Sequence, residues 1–428
     1  MGVEPWEKRA GLMHDAQSPR QPRKPPQICG IWGVSALANR FLQSSPVHPS
    51  PYCCPNSDYT PGMMFGATRL ALVLVALSSI PGARAAEPMP PRYVPALERM
   101  FEASRAPGMV AVVIESDRVL VKGFGRTNST NATKPDANTL LRLNSLSKLM
   151  AGEVLARMVS SGEISLDATL QQNAPAGRRV PARRNARPIL IRDLLVHTSG
   201  LPRDLPVSLW HAPASLKDAR WSWLGGTRLR HAPGRVAEYS NAGWMFLGDA
   251  IEHASRRSYP AMLKLHLEST LPDSRMTLAP SPAQCARLLS AAAPACEQGL
   301  ATAPSWGLYA TTDDVGTWMQ RLMRAQPGTA LHLSLHPVVQ RSALGAVRTL
   351  DFAGRAEAFG WGWVFIRTGR HTVLQKTGGG VRTMNYIILS PEKRRALFIT
   401  VSRMDMEMLR RLTREANALM AQILDEAS

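Results

Sequence analysis

From Pro107 the chain alternates in the manner of β-strands. "GMVAVVIES" and "RVLVKGFG" are β-branched runs separated by Ser116-Asp117, the signature of a hairpin. After Asn144 the period lengthens: Leu146, Leu149, Met150, Val154, Leu155, Met158 and Val159 fall on helical spacing, and Gly162 ends the run. Asn144 is a good N-cap, which predicts Ser145 in the first turn of that helix. Residues 163–300 read as mostly helical segments broken by Pro and Gly, without internal repeat; one of them, "GWMFLGDAIEHAS", follows Asn241 directly. Strand patterns return in "FGWGWVFI", "HTVLQKTG" and "NYIILSPEKRRALFITVSR", with residues 390–394 as a hairpin turn. Residues 406–423 form an amphipathic helix with Leu409, Leu412, Ala416, Leu419 and Ile423 on one face. This order predicts an α+β fold: an antiparallel sheet flanked by helices, built from about 93–150 and 301–428, around an inserted all-helical region at about 151–300.

At 428 residues, with 45% hydrophobic and 19% charged positions, the composition is that of a globular protein with ample material for a core. The formal net charge of +19 raises nucleic acid, an anionic membrane or an acidic polymer as partner. The stretch "MMFGATRLALVLVALSSIPGARAAE" changes that weighting. Arg69, an apolar run over residues 70–80 and Ala83-Arg84-Ala85 make a secretory signal peptide at 63–85, cleaved after Ala85. The apolar run is too short to span a bilayer, and no cysteine follows it to carry a lipid anchor. Residues 1–62, rich in Pro and Ser, are expected to be translated upstream sequence or a disordered extension, with the start at Met63 or Met64. Export places a domain of residues 86–428 in the periplasm and argues against nucleic acid as partner. Cys29, Cys53 and Cys54 precede the cleavage point. The remaining pair, Cys285 and Cys296, is expected as a disulfide worth about 3 kcal/mol in the chain-entropy view, with two reduced thiols as the alternative.

The candidate chemistry begins at Ser145 and Lys148. Residues three apart on a helix share a face, so hydroxyl and amine can meet. Flanking leucines and methionines would desolvate Lys148, lower its pKa and make it a proton acceptor or relay. A second S-x-x-K, Ser390 to Lys393, contains Pro391 in the hairpin turn and reads as solvated surface. Tyr239-x-Asn241 is the sole Y-x-N among seven tyrosines, and Lys376-Thr377-Gly378 the sole K-T-G. Together these residues suit acyl transfer, which needs an activated hydroxyl, a proton path and an oxyanion site. Tyr239 can act as base if its phenol sits between the ammoniums of Lys148 and Lys376, whose charge would lower the phenol pKa. Asn241 can hold a lysine or a substrate amide, and Lys376 with Thr377 can grip a carboxylate. Gly379 lets the backbone come close, and its N–H with that of Ser145 could form the oxyanion hole.

In this order, S-x-x-K, Y-x-N and K-T-G resemble the class C β-lactamase and low-molecular-weight penicillin-binding protein family. The similarity covers nearly all of residues 93–428, with "GEISLDATL", "LLVHTSGLP", "PGRVAEYSNAGW" and "WGLYATTDDVGTWM" as supporting stretches. Within the family the chain looks most like the AmpH-type D-alanyl-D-alanine carboxypeptidase/endopeptidases, through "LRLNSLSKLM", "HTSGLPRDLP", "SPAQCARLL" with Cys296, "FGWGWVF" and "QKTGGG". The resemblance implies a serine acyl-enzyme mechanism without metal or organic cofactor. It makes Ser145 the nucleophile, Lys148 and Tyr239 the acid/base pair, and Asn241, Lys376 and Thr377 the substrate-facing groups. It also implies peptidoglycan peptides and β-lactams as partners. A β-lactamase or esterase on the same fold, or a silent penicillin- or peptide-binding module, are the alternatives. Two departures bear on substrate preference: Trp306 stands where the family usually has a small residue, and after "KTGG" the chain reads "GVRTMNY", lacking the Gly-Gly-Phe often found there, with the bulkier, charged Arg382.

Other candidates read more plainly. Arg178, Arg179, Arg183, Arg184 and Arg187 form a solvated loop or, alternatively, a contact with a membrane surface or an anionic cell-wall polymer. His332 and His336 have helical metal-pair spacing but no acidic or cysteine companion, so no metal site is expected. His197, outside any G-x-S-x-G context, is expected as a hydrogen-bonding structural residue.

Overall fold

The computed structural model describes residues 87–427 apart from 211–216, 299 and 381. The expected signal peptide at 63–85, the segment 1–62 and Cys29, Cys53 and Cys54 lie outside the described residues. Among the described residues, nine strands form one sheet. They are β1 (Glu87–Pro88), β2 (Gly108–Glu115), β3 (Arg118–Gly125), β4 (Val339–Gln340), β5 (Ala356–Gly360), β6 (Trp363–Thr368), β7 (His371–Gly379), β8 (Met384–Ser390) and β9 (Arg395–Val401). Their spatial order is β1-β3-β2-β9-β8-β7-β6-β5-β4. The neighbours are antiparallel except β1 on β3. The two ends of the chain meet where β2 pairs with β9, from Met109 opposite Val401 to Glu115 opposite Arg395.

The expected hairpin at Ser116-Asp117 forms, with Ser116 at φ 56°, and the hairpin at residues 390–394 joins β8 to β9. β2 and β8 are buried along their whole length, which is why they read as near-continuous apolar runs without a solvated alternate face. Helices cover both faces. On one, the amphipathic helix α6 (Met406–Asp425) lies beside α1 (Val94–Ser104), and its Asn417 accepts a hydrogen bond from the Tyr386 hydroxyl of β8. On the other, α5 (Thr312–Met323) brings Gly316 against Val112 and Val119. Residues 111 and 112 point to opposite faces, and Tyr386 shares the face of Ala111 through the cross-strand register.

On the α5 side sit α2 (Ser147–Ser160), α3 (Asn241–Ser255) and α4 (Tyr259–Thr270). Residues 147–156 of α2 are all buried, so this helix has no wet stripe, and its polar members must find partners inside. Two short strand pairs feed the site. Leu140–Arg142 pairs with Tyr309–Thr311 just ahead of Ser145, and Val236–Glu238 pairs with Ala346–Arg348 just ahead of Tyr239. Cys285 and Cys296 are joined in a disulfide, as expected.

Candidate active site

Ser145 is not in the first turn of an α-helix. Residues Asn144–Leu146 form a 3-10 turn, and α2 begins at Ser147. Asn144 adopts φ 51°, a left-handed conformation that asparagine tolerates better than most residues, and so cannot serve as an N-cap, which needs extended backbone. Its amide instead donates to Thr383 Oγ1 at 2.9 Å, tying the turn to the loop that follows β7. Asn385 of β8 donates to the carbonyls of Arg142 and Leu143 at 2.9 and 3.1 Å, so both flanks of the turn are fixed to the sheet.

One turn later, Lys148 is completely buried. Its Nζ donates to Asn241 Oδ1 and Ser305 O, each at 2.8 Å, and stands 2.8 Å from Ser305 Oγ and 3.5 Å from Ser145 Oγ. Burial, then the charges of Lys376 and Arg203, hold this amine well below its usual pKa, with Asp204 opposing them. The expectation of a desolvated, depressed lysine stands.

Tyr239 donates its phenol to Ser145 Oγ at 2.7 Å. Among the described residues, three cations surround its ring: Lys148 Nζ at 5.1 Å, Lys376 Nζ at 5.2 Å and Arg203 Cζ at 5.0 Å from the centroid. The arrangement matches the sequence expectation, but the electrostatic outcome does not. Burial pushes the phenol up to about 12, more than its hydrogen bond with Ser145 and the Arg203 charge lower it. The same burial brings Lys376 down to about 7, so the amines that were to stabilise a phenolate are themselves inclined to be neutral.

Asn241 opens α3, with Ser240 as N-cap accepting from the Gly243 N–H at 2.9 Å. Its Nδ2 donates to Asp204 Oδ1 at 2.6 Å. Lys376, on β7, is almost wholly buried, Thr377 beside it is half-buried, and Gly379 closes the strand in an exposed position. The structure thus gathers Ser145, Lys148, Tyr239, Asn241 and Lys376 into one cluster, with Thr377 and Gly379 next along the same strand.

Three members escaped the sequence reading: Arg203, Asp204 and Ser305. The available signal for the first two was an opposite-charge pair between Pro202 and Pro206, in a loop that runs from buried His197 and whose backbone grips α3: the Arg203 carbonyl accepts the Asn241 N–H at 2.6 Å. Ser305 had none beyond its place beside Trp306. His197 is structural, as expected. Its Nδ1 accepts the Ser240 N–H at 3.0 Å, and its ring stacks on Tyr239 with centroids 4.5 Å apart.

Trp306 is half-buried and meets Trp210 edge-on at 5.6 Å, forming an aromatic wall next to Ser305, and Arg382 is exposed. The basic run is solvated, as expected: Arg179, Arg183, Arg184 and Arg187 are exposed and Arg178 is half-buried, and three of the five still find partners. Arg178 pairs with Asp218, Arg183 donates to the Leu229 carbonyl and Arg187 is bidentate on Asp193, because this loop must be pinned to the helical region it crosses. A cleft of about 630 Å³ lies elsewhere, beyond the far end of α2, lined by Arg157, His266, Asp273 and Arg321, and none of the motif residues borders it.

The Beta-lactamase family model matches residues 96–422. D-alanyl-D-alanine-carboxypeptidase/endopeptidase AmpH of Escherichia coli (strain K12) is 32% identical over 336 residues, covering 76% of this chain and 87% of its own. Among solved structures, a beta-lactamase/D-alanine carboxypeptidase from Yersinia pestis complexed with citrate is similar with a TM-score of 0.70 and 32% identity, over 76% of this chain and 95% of that one. A class C beta lactamase from Rhodobacter sphaeroides, at 20% identity and a TM-score of 0.64 over 77% of this chain and 99% of that one, shares the fold.

Proposed function

The chain belongs to the beta-lactamase family and is a serine hydrolase, and from that premise we propose that it is an exported D-alanyl-D-alanine carboxypeptidase/endopeptidase. It cleaves peptidoglycan peptides through a Ser145 acyl-enzyme and is acylated by β-lactams. One observation carries the reading: Tyr239 Oη and Lys148 Nζ, from separate elements, converge on Ser145 Oγ at 2.7 and 3.5 Å.

The proton inventory assigns the roles. Lys148, whose burial favours the neutral amine, takes the Ser145 proton as Oγ attacks the carbonyl carbon of the scissile bond. The carbonyl electron pair moves to its oxygen, which the N–H groups of Ser145 and Gly379 receive. As the tetrahedral centre collapses, the amine departs with a proton from Tyr239, a group that burial keeps protonated in the empty site. The proton on Lys148 then restores Tyr239. Water hydrolyses the ester by the same transfers in reverse. Asn241 holds Lys148 and faces the substrate amide, while Lys376 and Thr377 take the terminal carboxylate.

Labelling with a fluorescent penicillin, wild type against Ser145→Ala, tests the acyl-enzyme: absence of a Ser145-dependent label would overturn it. Faster turnover of a cephalosporin than of a D-Ala-D-Ala muropeptide would favour a β-lactamase. Export rests on the 63–85 segment, and a mature protein that does not begin at Ala86 would contradict it. No helix among the described residues is long and apolar enough to cross a membrane.

A further inference from the structure

We propose that Asp204 is a positioning residue that fixes which way the Asn241 amide faces and so keeps the Lys148 lone pair available to a hydroxyl. The inference rests on Lys148 as the proton acceptor of the preceding reading.

A carboxylate accepts hydrogen bonds and cannot donate them. At 2.6 Å from Asp204 Oδ1, the Asn241 group must therefore be its N–H, and the amide carbonyl is turned toward Lys148, 2.8 Å from Nζ. The Ser305 backbone carbonyl, also 2.8 Å from Nζ, takes a second N–H. Two acceptor-only oxygens thus engage two N–H bonds of a neutral amine. Its lone pair is left for the two hydroxyls in reach, Ser305 Oγ at 2.8 Å and Ser145 Oγ at 3.5 Å.

With the amide reversed, Asn241 would point an N–H at the amine, consuming the lone pair of the neutral form and repelling the charged form. Nothing else in contact with Asn241 selects between the two orientations as strictly. Ser305 Oγ, 3.2 Å from Asn241 Oδ1, is a hydroxyl and can donate or accept. The Asp204 loop is itself held in register with α3, since the Arg203 carbonyl accepts the N–H groups of Asn241 and Ala242. Arg203 Nε stands 3.4 Å from Asp204 Oδ2, leaving Oδ1 to Asn241.

The charges acting on Lys148 are Lys376, Arg203 and Asp204, with the Tyr239 phenol and the His197 imidazole stacked alongside. Asp204 is the acid among them. Its removal and reversal of the amide both disfavour the ammonium, so both move the titration of Lys148 the same way, downward.

The test measures acylation by a fluorescent penicillin as a function of pH for Asp204→Asn, Asp204→Ala and Asp204→Glu, alongside melting temperature. The Asn and Ala variants are expected to lose about tenfold or more in the plateau acylation rate while initial binding changes less than about threefold. The acidic limb of the profile should move to lower pH, and the Glu variant should recover most of the rate. A labelled wild type with an unchanged Asp204→Asn profile overturns this inference alone. So does a rate loss with an unmoved limb, or one that Glu does not recover, either of which marks a packing role. A wild type without Ser145-dependent label overturns the acyl-enzyme reading and the inference together.

Discussion

Gly378 abuts the backbone of Leu143 so closely that a Cβ on it would lie 2.7 Å from the Leu143 carbonyl oxygen, and equally close to Leu146 Cδ1. The end of β7 and the turn that carries Ser145 therefore pack together with no room for a side chain at position 378. Asn385, opposite Gly378 on β8, donates to the same carbonyl at 3.1 Å. The glycine of K-T-G answers a steric demand, and the distance between Ser145 and the substrate-facing strand depends on it.

Gly378→Ala is accordingly expected to separate β7 from the Ser145 turn. A shift near 1 Å costs about 100-fold in acylation, since a nucleophile and its oxyanion site tolerate little misplacement. The measurement is the rate of penicillin labelling beside the circular-dichroism melt. A wild-type labelling rate would show that the turn and strand can part without consequence.

Lys376 supplies a pH dependence whose sign can be worked out. Burial lowers its pKa to about 7, so in the empty site the amine is charged below that pH and neutral above it. A substrate carboxylate prefers the charged form. The KM of a peptide with a free terminal carboxylate should therefore rise above about pH 7, while that of its C-terminal amide should not follow. Parallel curves for the two substrates would remove Lys376 as the carboxylate partner.

Much of this arrangement was legible in the letters, and the exceptions have physical causes. The β2–β3 hairpin, the strands from Ala356 to Val401 and the last helix follow from hydrophobic period, because each has a face or a length that the core dictates. The motif spacing located Ser145, Lys148, Tyr239 and Asn241, whose polar atoms are linked by contacts of 2.7–3.5 Å, and Lys376, whose Nζ stands 5.2 Å from the Tyr239 ring centre. The 3-10 turn at Asn144 was invisible, since a left-handed asparagine and an N-cap asparagine look alike in sequence and only the tie to Thr383 selects the former. The Tyr239 charge state failed for another reason: counting cations around the ring ignored that a site dry enough to bring them together also lowers the pKa of both lysines and raises that of the phenol. Asp204 and Ser305 act through hydrogen bonds across 37 and 157 residues, which no local pattern encodes.

Assignment of Tyr239 as the proton donor to the leaving amine separates two classes of substrate. An amide nitrogen must be protonated to depart, whereas a good ester or thioester leaving group departs unaided. Tyr239→Phe should thus slow peptide cleavage by about 100-fold or more, and an activated ester by far less. The comparison of kcat/KM on a D-Ala-D-Ala peptide and its thioester analogue decides it. Equal losses would mean that the phenol serves the attack step instead.

Glu153 tests the scaffold beneath this chemistry. It lies on α2, five positions beyond Lys148, and is almost wholly buried at the floor of the cleft that Arg157, His266 and Arg321 line. Its Oε2 accepts from Arg321 at 2.8 Å and stands 3.1 Å from His266 Nε2, and its Oε1 accepts from Trp318 Nε1 at 2.7 Å. Burial alone would raise the carboxyl pKa, but the Arg321 charge and these hydrogen bonds prevail and hold it down to about 2. A carboxyl depressed in the folded state stabilises the protein above its unfolded pKa of about 4.3, and this contribution disappears as pH falls toward 2. Glu153→Gln removes the charge and leaves Arg321 facing a neutral amide, at a cost of about 3–5 kcal/mol near neutral pH. The variant should also lose less stability than wild type between neutral and acidic pH. Because Glu153 meets none of the reacting groups, acylation per folded molecule should stay within about threefold of wild type under conditions where the variant is folded. Urea unfolding at neutral and acidic pH gives the comparison, and equal acid sensitivity in the two proteins would mean that another carboxylate governs it.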